Sequence, residues 1–186
     1  TPERIRHLAE TYEHGLLEDV LPFWMRHAVD REHGGFLFNL DRDGSVIDTD
    51  KGMWQHGRFT WLLGHLYNTI EARPEWLDLA RHGVAFIRRH GSDPQDGRMW
   101  FQLTRDGRPL RKRRYNFTEA FASIALAEFA RATGDADVAE EARRLFDEFT
   151  RFNTTPNNAP PKFTDTRPLK AIGFPMICIG VSQVLR

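Results

Sequence analysis

The chain is poor in the features that mark several large protein classes. It has a single cysteine, Cys178, so an internal disulfide, a cysteine-based metal cluster and a CxxC redox site are all excluded. Its 26 basic and 26 acidic residues cancel, which gives no reason to expect nucleic acid or an anionic membrane as partner. No apolar run reaches the roughly 18 residues that a membrane span needs. We therefore expect a soluble, cytoplasmic protein without a metal or another cofactor.

Familiar catalytic patterns are also missing. All eight histidines lie between His7 and His90, and the sequence shows no Ser/His/Asp arrangement, no phosphate-binding loop and no HExxH motif. If the protein performs acid–base chemistry, we expect its main proton-transfer residues to lie outside these 186 residues. The last stretch, "FPMICIGVSQVLR", is apolar and helical in pattern and reaches Arg186 without a stop signal. This pattern predicts that residues 1–186 are a single domain truncated at its C-terminus.

Helical periodicity dominates what is present. The pattern predicts six helices, the last of which follows a polar, proline-rich loop, "NTTPNNAPPKFTDTRPLK". The first five run from Pro2 to about Ala28, from about Gly52 to Ala72 with Pro74 as the stop, from Pro74 to His90, from Asn116 to a C-cap at Gly134, and from after Asp135 to about Phe152.

Short β-hairpins are predicted after the first and third helices. The strings "EHGGFLFNLDRDGS" and "QDGRMWFQLTRDGR" share a glycine, aromatic residues and an Asp-Gly turn, which indicates an internal repeat. A more polar helix alternates with a more apolar one, and repeated helical hairpins must stack to bury their apolar faces. The fold predicted is all-α, an α/α toroid with polar helices outside, apolar helices inside and loops lining one mouth.

One face of the second helix mixes aromatic and polar side chains. Trp54, Arg58, Trp61 and His65 follow i, i+4, i+7 and i+11 spacing and share that face. A buried unpaired cation is costly, so the face should meet carboxylates, water or a ligand. Indoles beside hydrogen-bond donors suit a sugar. The alternative is that Arg58 pairs with a structural glutamate while both indoles belong to the core.

The start of the fourth helix, "RRYNFTEAF", places Tyr115 and Glu119 one turn apart. An inward carboxylate at a helix start could bind a sugar hydroxyl, whereas an ordinary first-turn glutamate is favoured by the helix dipole. Both interpretations of Glu119 stay open at the level of sequence. The basic run "RKRRY" just before it is interpreted first as a solvated turn and second as an anion-binding patch.

Three stretches together resemble the N-acylglucosamine 2-epimerase family. They are "DKGMWQHGRFTWLLGHLYN", "YNFTEAFASIALAEFARATGD" and "RPLKAIGFPMICIGVSQ", in the family's order. The resemblance implies an (α/α)6 barrel about twice as long as this chain, of which these helices form the first half. It also implies a cofactor-free sugar isomerase or epimerase that transfers a proton through an enediolate, with two histidines of the second half as general acid and base.

The same resemblance assigns roles to individual residues. It gives Arg58 the catalytic task of stabilising the enediolate beside O1 and O2, and it places Trp54, Tyr115, Glu119 and Met176 with Arg58 at the sugar. Met176 replaces a histidine of the cellobiose epimerase and mannose isomerase branches, which argues against those branches. The implied substrate is a small sugar of the N-acylglucosamine/N-acylmannosamine or the mannose/glucose/fructose type.

Two other function classes stay open. An (α/α)6 glycoside hydrolase would need a carboxylate pair, and the inward carboxylate of Glu119 stands alone in the sequence. A non-catalytic carbohydrate-binding scaffold would keep the barrel without its histidines. We expect the 186-residue chain alone to be inactive, and a homodimer is left open because the apolar last helix favours self-association.

Overall fold

The structure, a computed structural model, describes residues 1–156, 158 and 161–186. Positions 157, 159 and 160 of the predicted proline-rich loop lie outside the described residues. Seven α-helices are described: α1 Pro2–His14, α2 Leu21–His27, α3 Met53–Thr69, α4 Pro74–His90, α5 Phe117–Thr133, α6 Ala136–Thr154 and α7 Gly173–Leu185. No helix in this part of the chain is long and apolar enough to cross a membrane.

The N-terminal helix differs from its prediction. A single helix was predicted from Pro2 to about Ala28, but a π-helical segment, Gly15–Val20, separates α1 from α2. Pro22 follows this segment directly and has no N–H to donate, and its ring is incompatible with a regular bond to the carbonyl four residues earlier. The proline therefore accounts for the change of register.

The other predicted ends agree closely with the structure, with one correction. Helix α3 ends at Thr69 rather than near Ala72, and Pro74 begins α4 instead of stopping α3. Proline suits the first turn of a helix, where its missing N–H would have no partner in any case. Gly134 caps α5 in the left-handed conformation, with φ of 74°.

Helices α3, α5 and α7 form an inner row, and α4 and α6 pack against the outside of it. The most extensive helix contacts are those of α3 with α5, α5 with α6 and α3 with α4, while α7 packs mainly on α5. Two glycines allow α3 to approach α5. A Cβ on Gly57 would lie 2.7 Å from the backbone of Phe121, and one on Gly64 would lie 3.1 Å from Cβ of Glu128. The inner helices are therefore held at backbone contact distance.

Five short strands precede the inner helices: β1 Asn39–Leu40, β2 Val46–Asp48, β3 Lys51–Gly52, β4 Gln102–Leu103 and β5 Pro109–Arg111. Strands β1 and β2 form the first predicted hairpin, and β4 and β5 form the second. Strand β3 joins the second hairpin as an antiparallel edge, so that the sheet order is β3-β4-β5. This pairing ties the start of α3 to the loop that precedes α5.

The two hairpin loops repeat each other in detail. A β-bridge joins Val29 to Phe36 in the first loop, and Ser92 to Met99 in the second. Gly44 and Gly107 close the two turns with φ of 87° and 88°. A Cβ on either glycine would also meet a histidine ring, that of His27 or of His90. Each counterpart stands at the same interval in sequence, so the described chain contains a true structural repeat.

Candidate functional site

The mixed face of α3 is only partly covered by neighbouring helices. Helices α4 and α5 pack closely against other sides of α3, where Gly57 and Gly64 meet α5 and Thr60 meets α4. Arg58 is exposed, and Trp54, Trp61 and His65 are half-buried. The four side chains share one face, as the residue spacing predicted, and we interpret this face of the inner row as the concave side of the helix array.

Arg58 is the central cation of this face. Its guanidinium lies 3.9 Å from the ring centroid of Phe121 and 5.9 Å from that of Trp54. Across residues 1–156, 158 and 161–186, no carboxylate comes within ion-pair distance of it. Partial burial lowers the pKa of Arg58, but a guanidinium stays charged at neutral pH. Its donors are therefore available for an oxygen-rich ligand.

A pocket of about 370 Å³ opens beside Arg58. Gln55, Asn39 and Arg58 supply its polar lining, and Trp24 and Phe38 form part of its apolar lining. No carboxylate lines this pocket. Such a mixture of apolar surface with a few convergent polar groups is typical of small-molecule sites.

Trp54 belongs to an aromatic cluster at the start of α3. Its ring packs edge-to-face on Phe101 at 5.1 Å and lies 5.7 Å from Phe117 and 6.0 Å from Phe121. Its indole N–H is buried and has no hydrogen-bond partner among the described residues. The cluster joins the second hairpin to α5, and it holds Trp54 against Arg58.

Tyr115 lies one aromatic ring further along. It stacks on Phe117 at 5.3 Å with an angle of 8° between the rings. Together with Asn153, Lys162 and Phe174 it lines a second pocket, of about 290 Å³. The structure thus brings Tyr115 near Trp54 through Phe117, but places it in a pocket of its own.

Met176 lies on α7 and is 61% exposed. It lines neither the pocket beside Arg58 nor the one beside Tyr115. Its assignment to the sugar site therefore stays a prediction from the resemblance.

Glu119 has a buried environment that the sequence did not reveal. Its side chain is 1% exposed, and Oε1 accepts hydrogen bonds from Arg98 Nε at 2.8 Å and from the backbone N–H of Met99 at 3.0 Å. In the other repeat, Nε2 of His56 accepts the N–H of Phe36 at 2.8 Å. The two side chains stand at equivalent positions and fasten equivalent loops. This geometry favours the structural interpretation of Glu119, and its sugar-binding role stays a prediction.

His56 is neutral in the folded protein. It is completely buried and stacks on Phe86 at 5.0 Å, and desolvation lowers its pKa to about 3. Because Nε2 accepts from Phe36, the proton resides on Nδ1, which donates to the carbonyl of Gly52 at 3.3 Å. The histidine therefore fastens the first loop and performs no proton transfer.

A buried ion pair that the sequence analysis missed fixes the same loop. Lys51 and Asp30 are both fully buried as side chains, with Nζ 2.9 Å from Oδ2, and Arg105 Nε lies 3.0 Å from the same oxygen. Burial raises the pKa of Asp30, but the hydrogen bonds from Arg105 and Lys51 outweigh it and hold the pKa below its usual range. In the second loop, Lys112 pairs with Asp93. The matching aspartates of the two repeats were the available sequence signal.

His65 also has a partner that lies far away in sequence. Its Nδ1 lies 3.0 Å from Oε1 of Glu128, and its ring stacks on Trp61 at 4.9 Å with an angle of 16°. Asn68 Nδ2 donates to the other carboxylate oxygen of Glu128 at 2.7 Å. Within the described ranges, no group of three or more His, Cys, Asp or Glu side chains is arranged to hold a metal ion.

Comparison with known proteins gives the arrangement a context. Residues 34–171 match the family model described as N-acylglucosamine 2-epimerase (GlcNAc 2-epimerase). The mouse N-acylglucosamine 2-epimerase is 41% identical over 135 residues, which is 71% of this chain and 32% of the relative. A cellobiose 2-epimerase of Ruminococcus albus is 32% identical over 138 residues, or 73% of this chain and 35% of the relative.

A solved structure agrees with these matches. The sugar epimerase from a ruminal bacterium superposes with a TM-score of 0.75 and 26% identity, over 96% of this chain and 49% of that one. The chain thus spans about a third of the length of these curated relatives and about half of the solved structure. The six helical rods, with α1 and α2 as one, correspond to half of an (α/α)6 barrel.

Proposed function

The chain belongs to the N-acylglucosamine 2-epimerase family of sugar 2-epimerases and isomerases, and we propose that it supplies the sugar-binding first half of such an enzyme. The reaction would take place at C1 and C2 of a monosaccharide. N-acylglucosamine and N-acylmannosamine are the first candidates, because the mouse relative carries that name. Sugars of the mannose, glucose and fructose type are the second.

The chemistry follows from the acidity of a C–H bond next to a carbonyl. A base removes the proton from C2 of the open-chain aldose, and the electron pair moves to O1 to give an enolate, which is an enediolate when C2 carries a hydroxyl group. Return of the proton to the other face of C2 gives the epimer. When C2 carries a hydroxyl group, transfer of its proton from O2 to O1 and return of the other proton to C1 gives the ketose. We place the histidines that carry this proton outside these 186 residues.

The observation that carries the proposal is the state of Arg58. It is a cation on the concave side of an inner helix, it packs on Phe121, and no carboxylate neutralises it within the described part of the chain. Negative charge develops on O1 as the proton leaves C2, and on O2 as well when a C2 hydroxyl group passes its proton to O1. A preorganised cation in a partly desolvated site stabilises that charge more than water does. Arg58 is therefore assigned to the enediolate oxygens.

The pocket beside Arg58 suits the reacting end of a sugar. The amides of Gln55 and Asn39 can hydrogen-bond hydroxyl groups, and the rings of Trp24 and Phe38 offer apolar surface to the C–H faces. A glycoside hydrolase would need two carboxylates near its ligand. The lining of this pocket provides none. The geometry consequently supports the isomerase class over the hydrolase alternative.

The test is exchange of the proton at C2. The complete protein that carries this segment is incubated in D2O with N-acetylmannosamine, N-acetylglucosamine, mannose, glucose or fructose, and NMR follows deuterium at C2 of the aldoses and at C1 of fructose. We expect incorporation with at least one of them and none with the 186-residue chain alone. Absence of exchange with every sugar would reject the proposal, and hydrolysis of a glycoside instead would establish the alternative class.

A further inference from the structure

We propose that His65, held by Glu128 and Asn68, binds the hydroxyl end of the sugar that lies away from the reacting carbonyl. This inference rests on the proposed function, because it takes Arg58 as the group beside O1 and O2. It assigns a specificity role to a residue on the same face of α3, two helical turns beyond Arg58.

The orientation of the imidazole is the first step. Nδ1 lies 3.0 Å from the carboxylate of Glu128, which is 4% exposed as a side chain. A carboxylate accepts and does not donate, so Nδ1 carries a proton and Nε2 is the ring nitrogen left for a further partner. The side chain of His65 is 39% exposed, and no partner of Nε2 occurs among residues 1–156, 158 and 161–186. The free nitrogen is therefore presented to solvent on the concave side.

The carboxylate that orients His65 is itself fixed. Asn68 Nδ2 donates to Oε2 of Glu128 at 2.7 Å and to the backbone carbonyl of Glu128 at 2.9 Å. Gly64 permits α3 to approach α5 at this level, since a Cβ there would lie 3.1 Å from Cβ of Glu128. A hydrogen bond from the imidazole to a fixed, buried carboxylate restrains the ring more firmly than stacking on Trp61 alone.

The spacing to Arg58 matches one sugar. Seven residues of α-helix separate the two positions by about 10 Å along the axis. One hexose with a hydrogen bond of about 2.8 Å at each end spans a gap of this order. Trp61 lies between the two positions on the same face and is half-buried, so its indole offers apolar surface to the ring. Nε2 of His65 would then form a hydrogen bond with the hydroxyl group at C4 or C6.

Two substitutions of His65 separate the roles of its two ring nitrogens. His65→Asn keeps a donor at the place of Nδ1 and removes the group at Nε2, whereas His65→Gln keeps a polar group near the place of Nε2. The matched surface control is His33→Asn, because His33 is 35% exposed and also neighbours a glutamate, Glu32 at 3.5 Å. All three are made in the complete protein, and thermal unfolding of each verifies its fold.

The readout is the rate of C2 exchange with the best sugar and with its 4-deoxy and 6-deoxy analogues. We expect His65→Asn to raise KM for the parent sugar about fivefold to tenfold with kcat nearly unchanged, and to leave one deoxy analogue unaffected. His65→Gln should stay within about threefold of the wild type, and His33→Asn should equal it.

Two outcomes would overturn the inference: equal losses for the parent sugar and both analogues, or no loss in His65→Asn. Glu128→Gln tests whether Glu128 acts by positioning His65. The double variant with His65→Asn should then raise KM no further than His65→Asn alone. Additive losses would assign Glu128 to the fold only. If the wild type shows no exchange, the proposed function fails, and binding of the sugar followed by calorimetry still decides the role of His65.

Discussion

Substitution of Glu119 by glutamine should destabilise the protein while leaving the proposed sugar reaction intact. The carboxylate is buried, and its Oε1 accepts from Arg98 Nε at 2.8 Å and from the N–H of Met99 at 3.0 Å. Both donors belong to the loop before β4, so the side chain fastens that loop to the first turn of α5. If this is its main task, the loss appears in stability and not in catalysis.

The expected loss in the free energy of unfolding follows from these two hydrogen bonds. Each hydrogen bond to a charged group contributes about 1.5–3 kcal/mol, and a neutral amide oxygen keeps part of that in both. Removal of a buried charge also relieves some desolvation, because Oε2 is buried without a partner among the described residues. We therefore expect a loss of about 2–4 kcal/mol in the free energy of unfolding, or a fall of about 1–2 M in the urea midpoint.

Urea unfolding and C2 exchange on the same samples separate the two interpretations of Glu119. The control is Glu140→Gln, because Glu140 is 75% exposed as a side chain and pairs with Arg143 at 3.0 Å on the surface of α6. That variant should lose less than about 0.5 kcal/mol. An unchanged urea midpoint combined with lost exchange would refute the structural reasoning and make Glu119 a sugar ligand.

Three further predictions concern charge. Arg58→Lys should lower kcat/KM for C2 exchange about 100-fold with little change in Tm, because an ammonium cannot reproduce the guanidinium fork; parallel loss of Tm would mark Arg58 as structural. His56 has its pKa lowered to about 3 from 6.5, so only the unfolded chain binds this proton between those values. The free energy of unfolding should therefore fall by about 1.4 kcal/mol per pH unit as the pH drops from 6.5 towards 4. His56→Gln should remove this slope in urea titrations, and equal slopes in the wild type and the variant would contradict the prediction. Lys51→Met should lower the free energy of unfolding by about 3–5 kcal/mol, because Asp30 stays buried without its ammonium partner. Lys112 is only half-buried, so a loss no larger than that of Lys112→Met would contradict this prediction.

Local signals in the sequence were sufficient for the helices. Helix α4 runs from Pro74 to His90 as predicted, because proline at the start and basic residues in the last turn mark both ends. Gly134 adopts the left-handed conformation that its place after α5 requires. Periodicity and caps depend on neighbours in sequence, so they can be interpreted without knowledge of the fold.

Long-range pairing could not be inferred in the same way. The pairing of β3 with β4 and the bond from Arg98 to Glu119 join segments whose contact depends on how the helices stack. A first-turn glutamate has the same sequence signature whether it binds a sugar, a helix dipole or a loop. The i, i+4, i+7, i+11 pattern placed Arg58 and His65 on one face of α3, but their packing partners on α5, Phe121 and Glu128, required the structure.

The repeat explains why these partners lie where they do. Three of the four residues on the concave face of α3 contact their own counterparts in the second repeat. Trp54 meets Phe117, Arg58 packs on Phe121, and His65 binds Glu128, with the same interval in sequence for all three pairs.

His56 and Glu119 stand at equivalent positions of the two repeats, and each accepts a backbone N–H from the loop that it fastens. The positions on this face differ between the repeats: α3 carries Arg58 and His65, and α5 carries Phe121 and Glu128, which pack against them. Under the proposed function, one helical hairpin supplies the sugar contacts and the next holds those contacts in place.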